Sequence, residues 1–319
     1  MKLQQLRYIC EVARRGLNVT TAAERLFTAQ SGISTQIRLL EEELSVQIFE
    51  RHGKRLTGIT PAGQSIIAMA ERILTETDNI YQVAQQANDD TRGTLSIATT
   101  HTQAYHALPD AIARFSEAYP EVKLRIHQGN TRQIYDMLLS RTADVAITTA
   151  TKNMPSELVM LPYKEWSLAA IAPAGHPIND APKPLTLEAL AEYPLITYDH
   201  AMSGRSSIND AFTEAGLLTN IALTALDSDI IKKYAKLGLG VGLIAETAIE
   251  KGEDDSLSVI DVAHLFRPSV SCVCVHRGRH LRSYVYAFIT QITPQLTEEA
   301  VEGILRLESG KGESPAHPT

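Results

Sequence analysis

Apolar residues near the start of the chain recur every three or four positions, the spacing that places them on one face of a helix. In the first such segment they are Leu3, Leu6, Ile9 and Val12. In a later one they are Ile33, Ile37, Leu40 and Leu44. Between these segments, "NVTTAAERL" predicts a short helix capped by Asn18 or Thr20. A tight turn, "FTAQS", follows, and Thr28 or Ser31 is expected to cap the next helix. Three helices with such a turn are typical of a helix-turn-helix.

The other face of the third helix is polar and carries no negative charge before Glu41. A helix with such a face can enter a DNA major groove and form hydrogen bonds with base edges. The segment "IFERHGKRLTGIT" then predicts two strands joined by a turn, a basic wing that would contact phosphates. We therefore expect DNA contacts from Thr28, Gln30, Ser31, Ser34, Thr35, Arg38, Arg51, Lys54 and Arg55. An amphipathic helix pair with a solvated face remains the alternative.

Residues 61–88 carry a second apolar pattern, in which spacings of four and three alternate over three heptads. The positions are Ile66, Ala70, Ile73, Thr77, Ile80, Ala84 and Ala87. This pattern predicts a coiled-coil helix that begins at Pro61, with Thr60 as its cap. Such a helix would be on the order of 42 Å long, so a second copy of the chain is expected to cover it. The alternative is that it packs on its own chain.

From Gly93 onward, short apolar strand patterns alternate with helical patterns, which predicts mostly parallel sheets covered by helices. Polar residues follow three of the strands, in "ATTHTQA", "AITTAT" and "ITYDHAMSGRSS". Ligands of such sheets bind beyond the carboxyl ends of the strands. Each polar stretch could instead serve only to cap its helix.

The chemistry of these strand ends favours a small oxyanion. Hydroxyls, a carboxamide and helix N–H groups donate hydrogen bonds, and residues 99–103 and 148–151 contain no carboxylate. Sulfate has no proton to donate at neutral pH, whereas phosphate largely keeps one and needs an acceptor. The pattern therefore favours a sulfate-like group, although the nearby Asp199, Asp227 and Asp229 keep phosphate open.

Charge divides the chain into two parts. The 319 residues carry a net charge of −7, but the first sixty hold nine basic and six acidic residues, so the remainder carries −10. A basic head on an acidic body is typical of a DNA-binding protein with a separate sensing domain. No apolar run reaches the roughly 20 residues of a membrane helix, and the charged start does not resemble a secretory signal. We expect a cytoplasmic protein that does not bind membranes.

Motifs of catalysis and metal binding do not emerge from the sequence. The three cysteines, Cys10, Cys272 and Cys274, lack the second pair of a zinc site. We find neither H-E-x-x-H nor G-x-S-x-G. The sequence therefore predicts no catalytic residue, no metal site and no cofactor.

Several stretches resemble LysR-type transcriptional regulators, and among these the CysB/Cbl branch that controls sulfur assimilation. They are "LFTAQSGISTQIRLLEEELSVQIFERHGKRLTGITPAG", "LSIATTHTQA", "SGRSSINDAF" and "DSDIIKKYAKLGLGVGLIAE". The resemblance implies a multidomain protein with an all-α winged helix-turn-helix head at 1–60 and a dimerisation helix at 61–88. It also implies a two-lobed α/β effector domain at 93–308, similar to periplasmic binding proteins. Lobe I is expected at 93–164 and 267–308 and lobe II at 165–266, with 309–319 as a disordered tail.

The resemblance further implies a regulator of sulfur or sulfonate genes that binds double-stranded promoter DNA as a dimer of dimers. RNA polymerase is a further candidate partner. The effector would be sulfate, thiosulfate, adenosine phosphosulfate or acetylserine, bound by Thr100, Thr102, Gln103, Thr149 and Ser203. Ser203 stands where the branch more often has Thr, and Ala29 replaces a usual Ser.

Three other functions remain open: a LysR-type regulator of another pathway with a different anionic effector, a solute-binding protein, and a metabolic enzyme. Neither of the last two accounts for residues 1–88.

Overall fold

A computed structural model describes residues 1–53, 55–151, 153–200, 204–250, 252, 254 and 256–310. The chain divides into two compact units. The first, which we call the head, comprises Met1–Asn88 with Gly278–His280, and the second, the effector unit, comprises Asp89–Arg277 with Leu281–Thr319.

The head contains three short helices, a two-stranded wing and one long helix. They are α1 (Leu3–Arg14), α2 (Val19–Arg25), α3 (Gln30–Leu44), β1 (Phe49–His52), β2 (Arg55–Ile59) and α4 (Pro61–Asn88). The Asn18 side chain caps α2 by accepting hydrogen bonds from the N–H groups of Thr20 and Thr21, both at 3.1 Å. These elements confirm the predicted winged helix-turn-helix.

The start of α3 differs from the prediction. Its N-cap is Ala29, which has no side-chain oxygen, so capping by Thr28 or Ser31 is wrong. The apolar stripe of α3 holds as far as Leu40, since Ile33, Ile37 and Leu40 are fully buried. Leu44 is 37 % exposed, so the packed stripe ends one turn earlier than predicted.

The predicted coiled-coil seam of α4 is divided between two environments. Ile67 and Ala70 are buried in the head core, with Ile66 and Leu74 packed at its margin. From Ile73 onward, which we call the second half of α4, Ile73 is 41 % and Ile80 70 % exposed. A Cβ atom at Gly63 would lie 2.0 Å from the Ile48 carbonyl oxygen, so glycine is required for α4 to approach the wing so closely. The second half of α4 is therefore available to a partner helix.

The effector unit contains two five-stranded sheets, each with its own hydrophobic core. The first sheet has the order β4-β3-β5-β12-β6. Its strands are β3 (Gly93–Thr99), β4 (Val122–Gln128), β5 (Val145–Thr149), β6 (Leu158–Trp166) and β12 (Ser269–His276). The helices of this lobe are α5 (His101–His106), α6 (Pro109–Ala118), α7 (Thr131–Leu139), α11 (Ser283–Ile292) and α12 (Glu298–Gly310).

The second sheet has the order β11-β7-β10-β8-β9. Its strands are β7 (Leu168–Pro173), β8 (Leu195–Tyr198), β9 (Ile221–Ala225), β10 (Val241–Ala245) and β11 (Leu257–Asp261). The helices are α8 (Leu187–Ala191), α9 (Gly204–Glu214) and α10 (Ser228–Lys236). These two lobes confirm the predicted α/β architecture.

The expectation of mostly parallel sheets is wrong in part. Strand β3 pairs in parallel with β4 and β5, but β12 is antiparallel to both β5 and β6. In the second sheet β7 is antiparallel to both β10 and β11. The reason is the chain path, since β6 leads out of the first lobe and β12 brings the chain back in the opposite direction.

The carboxyl end of the chain is helical as far as Gly310, the last residue of α12. The disordered tail was expected at 309–319, but residues 309 and 310 are helical. Residues 311–319 lie outside the described part. Of the helices in the described ranges, none combines the length and the apolar composition needed to cross a bilayer.

Candidate functional site

Thr100 and Gln103 lie at the carboxyl end of β3, where the chain turns directly into α5. The Thr100 hydroxyl caps α5 and accepts a hydrogen bond from the Gln103 N–H at 3.4 Å. The Gln103 carboxamide Nε2 donates to the Ser271 hydroxyl at 2.9 Å. All three side chains are buried. Thr100 and Gln103 of the stretch "ATTHTQA" therefore face into the lobe rather than into open solvent.

Thr149 joins this cluster from the end of β5. It lies opposite Ser271 in the register of β5 and β12, and it is buried. Tyr163 also forms a hydrogen bond with Ser271, and burial raises the pKa of Tyr163 to about 12, so the phenol keeps its proton. Two of the three predicted polar stretches are thus brought together, with Ser271 and Tyr163 as members that sequence analysis missed. Thr151, in the same stretch as Thr149, instead contacts the Tyr135 hydroxyl at 2.9 Å.

Thr102 links the two lobes. Its hydroxyl lies 3.4 Å from the Ser228 hydroxyl at the start of α10. The Ser228 oxygen is in turn 2.7 Å from the Tyr198 hydroxyl, which accepts a hydrogen bond from the Ala245 N–H at 2.9 Å. Burial raises the pKa of Tyr198, so its hydroxyl keeps a proton to donate to Ser228. Ser228 is then free to donate toward Thr102.

The third polar stretch follows β8, and its predicted contact, Ser203, lies outside the described residues. Two positions later, Arg205 lies in the first turn of α9 and is only 5 % exposed. Its Nε and Nη1 atoms have no hydrogen-bond partner among the described residues. Burial lowers the pKa of Arg205, while the Asp199 carboxylate acts in the opposite direction. Sequence analysis did not single out this residue, although it stands in "SGRSS".

Hydroxyls, a carboxamide and a phenol therefore meet at the ends of β3 and β5, and the Arg205 guanidinium follows the end of β8 in the other lobe. All of them can donate hydrogen bonds, which suits an oxyanion. Asp229, one of the carboxylates that kept phosphate open, forms an ion pair with Lys232 at 3.1 Å.

The DNA-binding prediction concerns the solvent face of α3. Gln30, Ser31, Thr35 and Arg38 are exposed, and Thr28 and Ser34 are half-buried beside them. The Arg38 Nε atom lies 3.6 Å from the Glu42 carboxylate one turn later, in a solvent-exposed pair. Six of the nine predicted DNA contacts thus share one accessible surface.

The other three predicted DNA contacts belong to the wing, and their environments differ. Arg55 is exposed, and Lys54 lies outside the described residues. Arg51 forms an ion pair at 2.8 Å with Glu41, whose carboxylate is almost fully buried. The second Glu41 oxygen accepts hydrogen bonds from the N–H groups of Ile48 and Phe49. Arg51 therefore ties the wing to α3, and its phosphate contact stays a prediction.

A shallow depression beside α3 contains two residues that sequence analysis missed. Gln4 and Tyr8 of α1 line it together with Ser31, Gly32, Thr35 and Gln36 of α3. The Gln4 side chain donates a hydrogen bond to the Tyr8 hydroxyl at 2.7 Å. Their spacing of four, on one side of an amphipathic helix, was the available signal. Gln4 is exposed and extends the polar surface of α3, and Tyr8 is buried beside it.

Comparison with known proteins assigns both units. A family model described as "LysR substrate binding domain" matches residues 88–297. A second, "Bacterial regulatory helix-turn-helix protein, lysR family", matches residues 3–64. The helix-turn-helix implies binding to DNA, and the substrate-binding domain implies binding of a small molecule.

Individual relatives span nearly the whole chain. The transcriptional regulator CysB of Haemophilus influenzae is 47 % identical over 96 % of this chain and 94 % of its own. SsuR of Burkholderia cenocepacia is 43 % identical over 96 % of this chain and 99 % of its own. The crystal structure of the cofactor-binding domain of the Cbl regulator is 41 % identical, with a TM-score of 0.64 over 68 % of this chain and 94 % of that one. These relatives are transcriptional regulators, as predicted, and not enzymes. The chain belongs to the LysR family of bacterial transcriptional regulators, in the branch that includes CysB and Cbl.

Proposed function

We propose that this protein regulates sulfur or sulfonate assimilation genes in the bacterial cytoplasm, and that a small sulfur-status anion between its two lobes controls its action on promoter DNA. The likeness to CysB, SsuR and Cbl supports the pathway. The chemistry of the polar cluster supports the class of effector.

The observation that carries the proposal is the Arg205 guanidinium, which is buried with two donor atoms that lack partners among the described residues. A buried donor atom left without an acceptor typically costs about 1–3 kcal/mol, although the Asp199 carboxylate favours the charged form of Arg205. An oxyanion would supply both the opposite charge and several acceptor oxygens. Arg205 follows the end of β8, and Tyr198 at that strand end is linked through Ser228 to Thr102.

The remaining donors are uncharged, which favours an anion without a proton of its own. Thr100, Gln103 and Thr149 provide two hydroxyls and a carboxamide, joined by the Ser271 hydroxyl. Sulfate or thiosulfate would accept from all of them. The sulfate group of adenosine phosphosulfate and the carboxylate of acetylserine share this acceptor chemistry.

The effector acts by favouring one arrangement of the lobes. Thr100, Gln103 and Thr149 belong to the first lobe and Arg205 to the second, so one anion held by both would stabilise the closed form. The free energy by which the anion shifts the equilibrium between the two forms equals the difference between its binding free energies for them. In our proposal the linker helices carry this change to paired heads and alter the bend of the DNA.

Pairing of two chains would use the second half of α4. Its exposed apolar side chains include Ile73, Ile80, Tyr81 and Val83. A second copy of the same helix would cover them as a coiled coil. Two such dimers on an imperfect dyad would form the tetramer, beside which RNA polymerase is a candidate partner.

Calorimetry of the full-length protein tests the effector site. The panel comprises sulfate, thiosulfate, adenosine phosphosulfate and acetylserine, with inorganic phosphate and acetate for comparison. At least one of the first four is expected to bind, and Arg205→Met is expected to weaken that binding at least about thirtyfold, because a desolvated charge partner is lost. Arg267→Met is the control, since Arg267 forms an exposed ion pair with Glu214 on α9.

Two results would contradict the proposal. Equal affinity of the wild type and the Arg205→Met protein would remove the guanidinium from the site. Binding of acetate or phosphate alone would point to a LysR-type regulator of another pathway.

A further inference from the structure

A cluster of two histidines and two aspartates lies where α5 of the first lobe meets the start of α10 in the second. The ligand atoms of His101, Asp227 and Asp229 all lie within 4.8 Å of one another. His106, one turn after His101, contacts the same Asp229 carboxylate. We propose that these four side chains bind a divalent transition metal, with zinc as its representative, and that this metal joins the two lobes.

The distances match a tetrahedral site. The Asp229 Oδ2 atom lies 3.4 Å from His101 Nε2 and 3.5 Å from His106 Nε2. Zinc bonds to imidazole nitrogen and carboxylate oxygen are about 2.0–2.2 Å long, so neighbouring ligand atoms of a tetrahedron lie roughly 3.3–3.6 Å apart. Each imidazole nitrogen therefore lies at a ligand-to-ligand distance from the Asp229 oxygen.

Two of these atoms are buried without a hydrogen bond. The His106 side chain is 2 % exposed, and its Nε2 atom has no hydrogen-bond partner among the residues that the structure describes. The Asp229 Oδ2 atom is also buried and has none. Buried polar atoms nearly always have a partner, because leaving one without a partner destabilises the folded protein. A cation between the two atoms would satisfy both.

The surrounding groups direct the ligand atoms toward one point. The His106 Nδ1 atom is 2.6 Å from the Glu250 carboxylate, and the His101 Nδ1 atom is 3.4 Å from the Gln128 carboxamide oxygen. Metal-binding histidines typically hold an acceptor of this kind on the second ring nitrogen, which leaves the first for the metal. Lys232 contacts Oδ1 of Asp229 at 3.1 Å, which leaves Oδ2 facing the imidazoles.

Charge around the cluster also favours a dication. Four carboxylates, those of Asp227, Asp229, Glu250 and Asp254, accompany the two ammonium groups of Lys232 and Lys236. Among these described groups, two negative charges therefore remain uncompensated when the histidines are neutral. A divalent ion supplies that compensation.

The position gives the metal a consequence for regulation. His101 and His106 lie on α5, beside the Thr102 hydroxyl that contacts Ser228 on α10. A metal held by both helices would stabilise this junction between the lobes. Sequence analysis predicted no metal site, because the two pairs of ligands are more than 120 residues apart and form no spacing motif.

Zinc titration of the full-length, chelator-stripped protein by calorimetry tests the proposal directly. One zinc per chain is expected, and His106→Gln and Asp229→Asn are each expected to weaken its binding at least about tenfold. Glu250→Gln removes only the carboxylate that orients His106, and such changes typically weaken metal binding about 10–100-fold. His52→Gln is the matched control, since His52 is an exposed histidine of the wing, and it is expected to bind zinc as the wild type does.

Circular dichroism and thermal unfolding without metal would show whether each variant is folded. Glu250→Gln keeps all four ligands, so it serves the test if a ligand variant does not fold. The proposal is overturned if the wild type binds no zinc, or if folded His106→Gln and Asp229→Asn bind zinc as tightly as the wild type. It is also overturned if His52→Gln alone abolishes binding.

Discussion

The head and the effector unit place their functional side chains in opposite environments. In the head, Gln30, Ser31, Thr35 and Arg38 are exposed on a helix whose other face is fully buried. In the effector unit, Thr100, Gln103, Thr149 and Arg205 are themselves buried. A surface for DNA can thus change with little effect on folding, whereas the effector site is part of the packed interior.

The head has one exception to this separation, Glu41. Its carboxylate is buried on α3, yet it binds Arg51 and two backbone N–H groups of the wing. The position of the basic wing beside α3 therefore depends on a buried polar contact, as the effector site does. Variants can test how far the comparison holds.

The largest effect is expected from Glu41→Ala. Removal of this carboxylate leaves the buried N–H groups of Ile48 and Phe49 without an acceptor, which typically costs about 1–3 kcal/mol for each group. In differential scanning calorimetry of the full-length protein, one unfolding transition should move to lower temperature. Glu42→Ala is the control on the same helix, since its carboxylate is exposed, and a change within about 0.5 kcal/mol is expected. Equal effects of the two variants would show that the buried contact does not organise the wing.

A smaller effect is expected on the exposed face. Arg38→Ala should reduce the preference for the operator over unrelated DNA by about 1–3 kcal/mol, if Arg38 contacts base edges. Arg55→Ala in the wing should instead weaken binding to both DNAs alike and reduce the salt dependence of binding. Gel retardation at several salt concentrations separates the two. If the Arg38→Ala protein lost affinity for both DNAs equally, Arg38 would contact the phosphate backbone and not the base edges.

The local parts of the fold were predictable from the sequence. The apolar spacing of Ile33, Ile37 and Leu40 defines the packed side of α3, and Gly53 stands in the turn of the wing at a φ of 62°. Alternation of strand and helix patterns was sufficient to indicate an α/β body. In each case the signal lies within a few consecutive turns or strands.

The parts that sequence analysis missed depend on contacts between distant residues. Ser271 reaches the effector cluster only because β12 returns antiparallel beside β5. Arg205 looked like an ordinary residue in a helix start, and its burial follows from packing of the second lobe. His106 and Asp229 meet only across the junction of the lobes. Chain topology, which periodicity does not report, decides all three.

The central claim is that buried donors from both lobes hold one small oxyanion. Anomalous diffraction from crystals of the full-length protein grown with selenate, an analogue of sulfate, tests it most directly. The account predicts one selenium peak within hydrogen-bonding reach of the Thr100 and Thr149 hydroxyls, the Gln103 carboxamide and the Arg205 guanidinium. A cleft without selenium, in which a carboxylate of the protein pairs fully with Arg205, would contradict it.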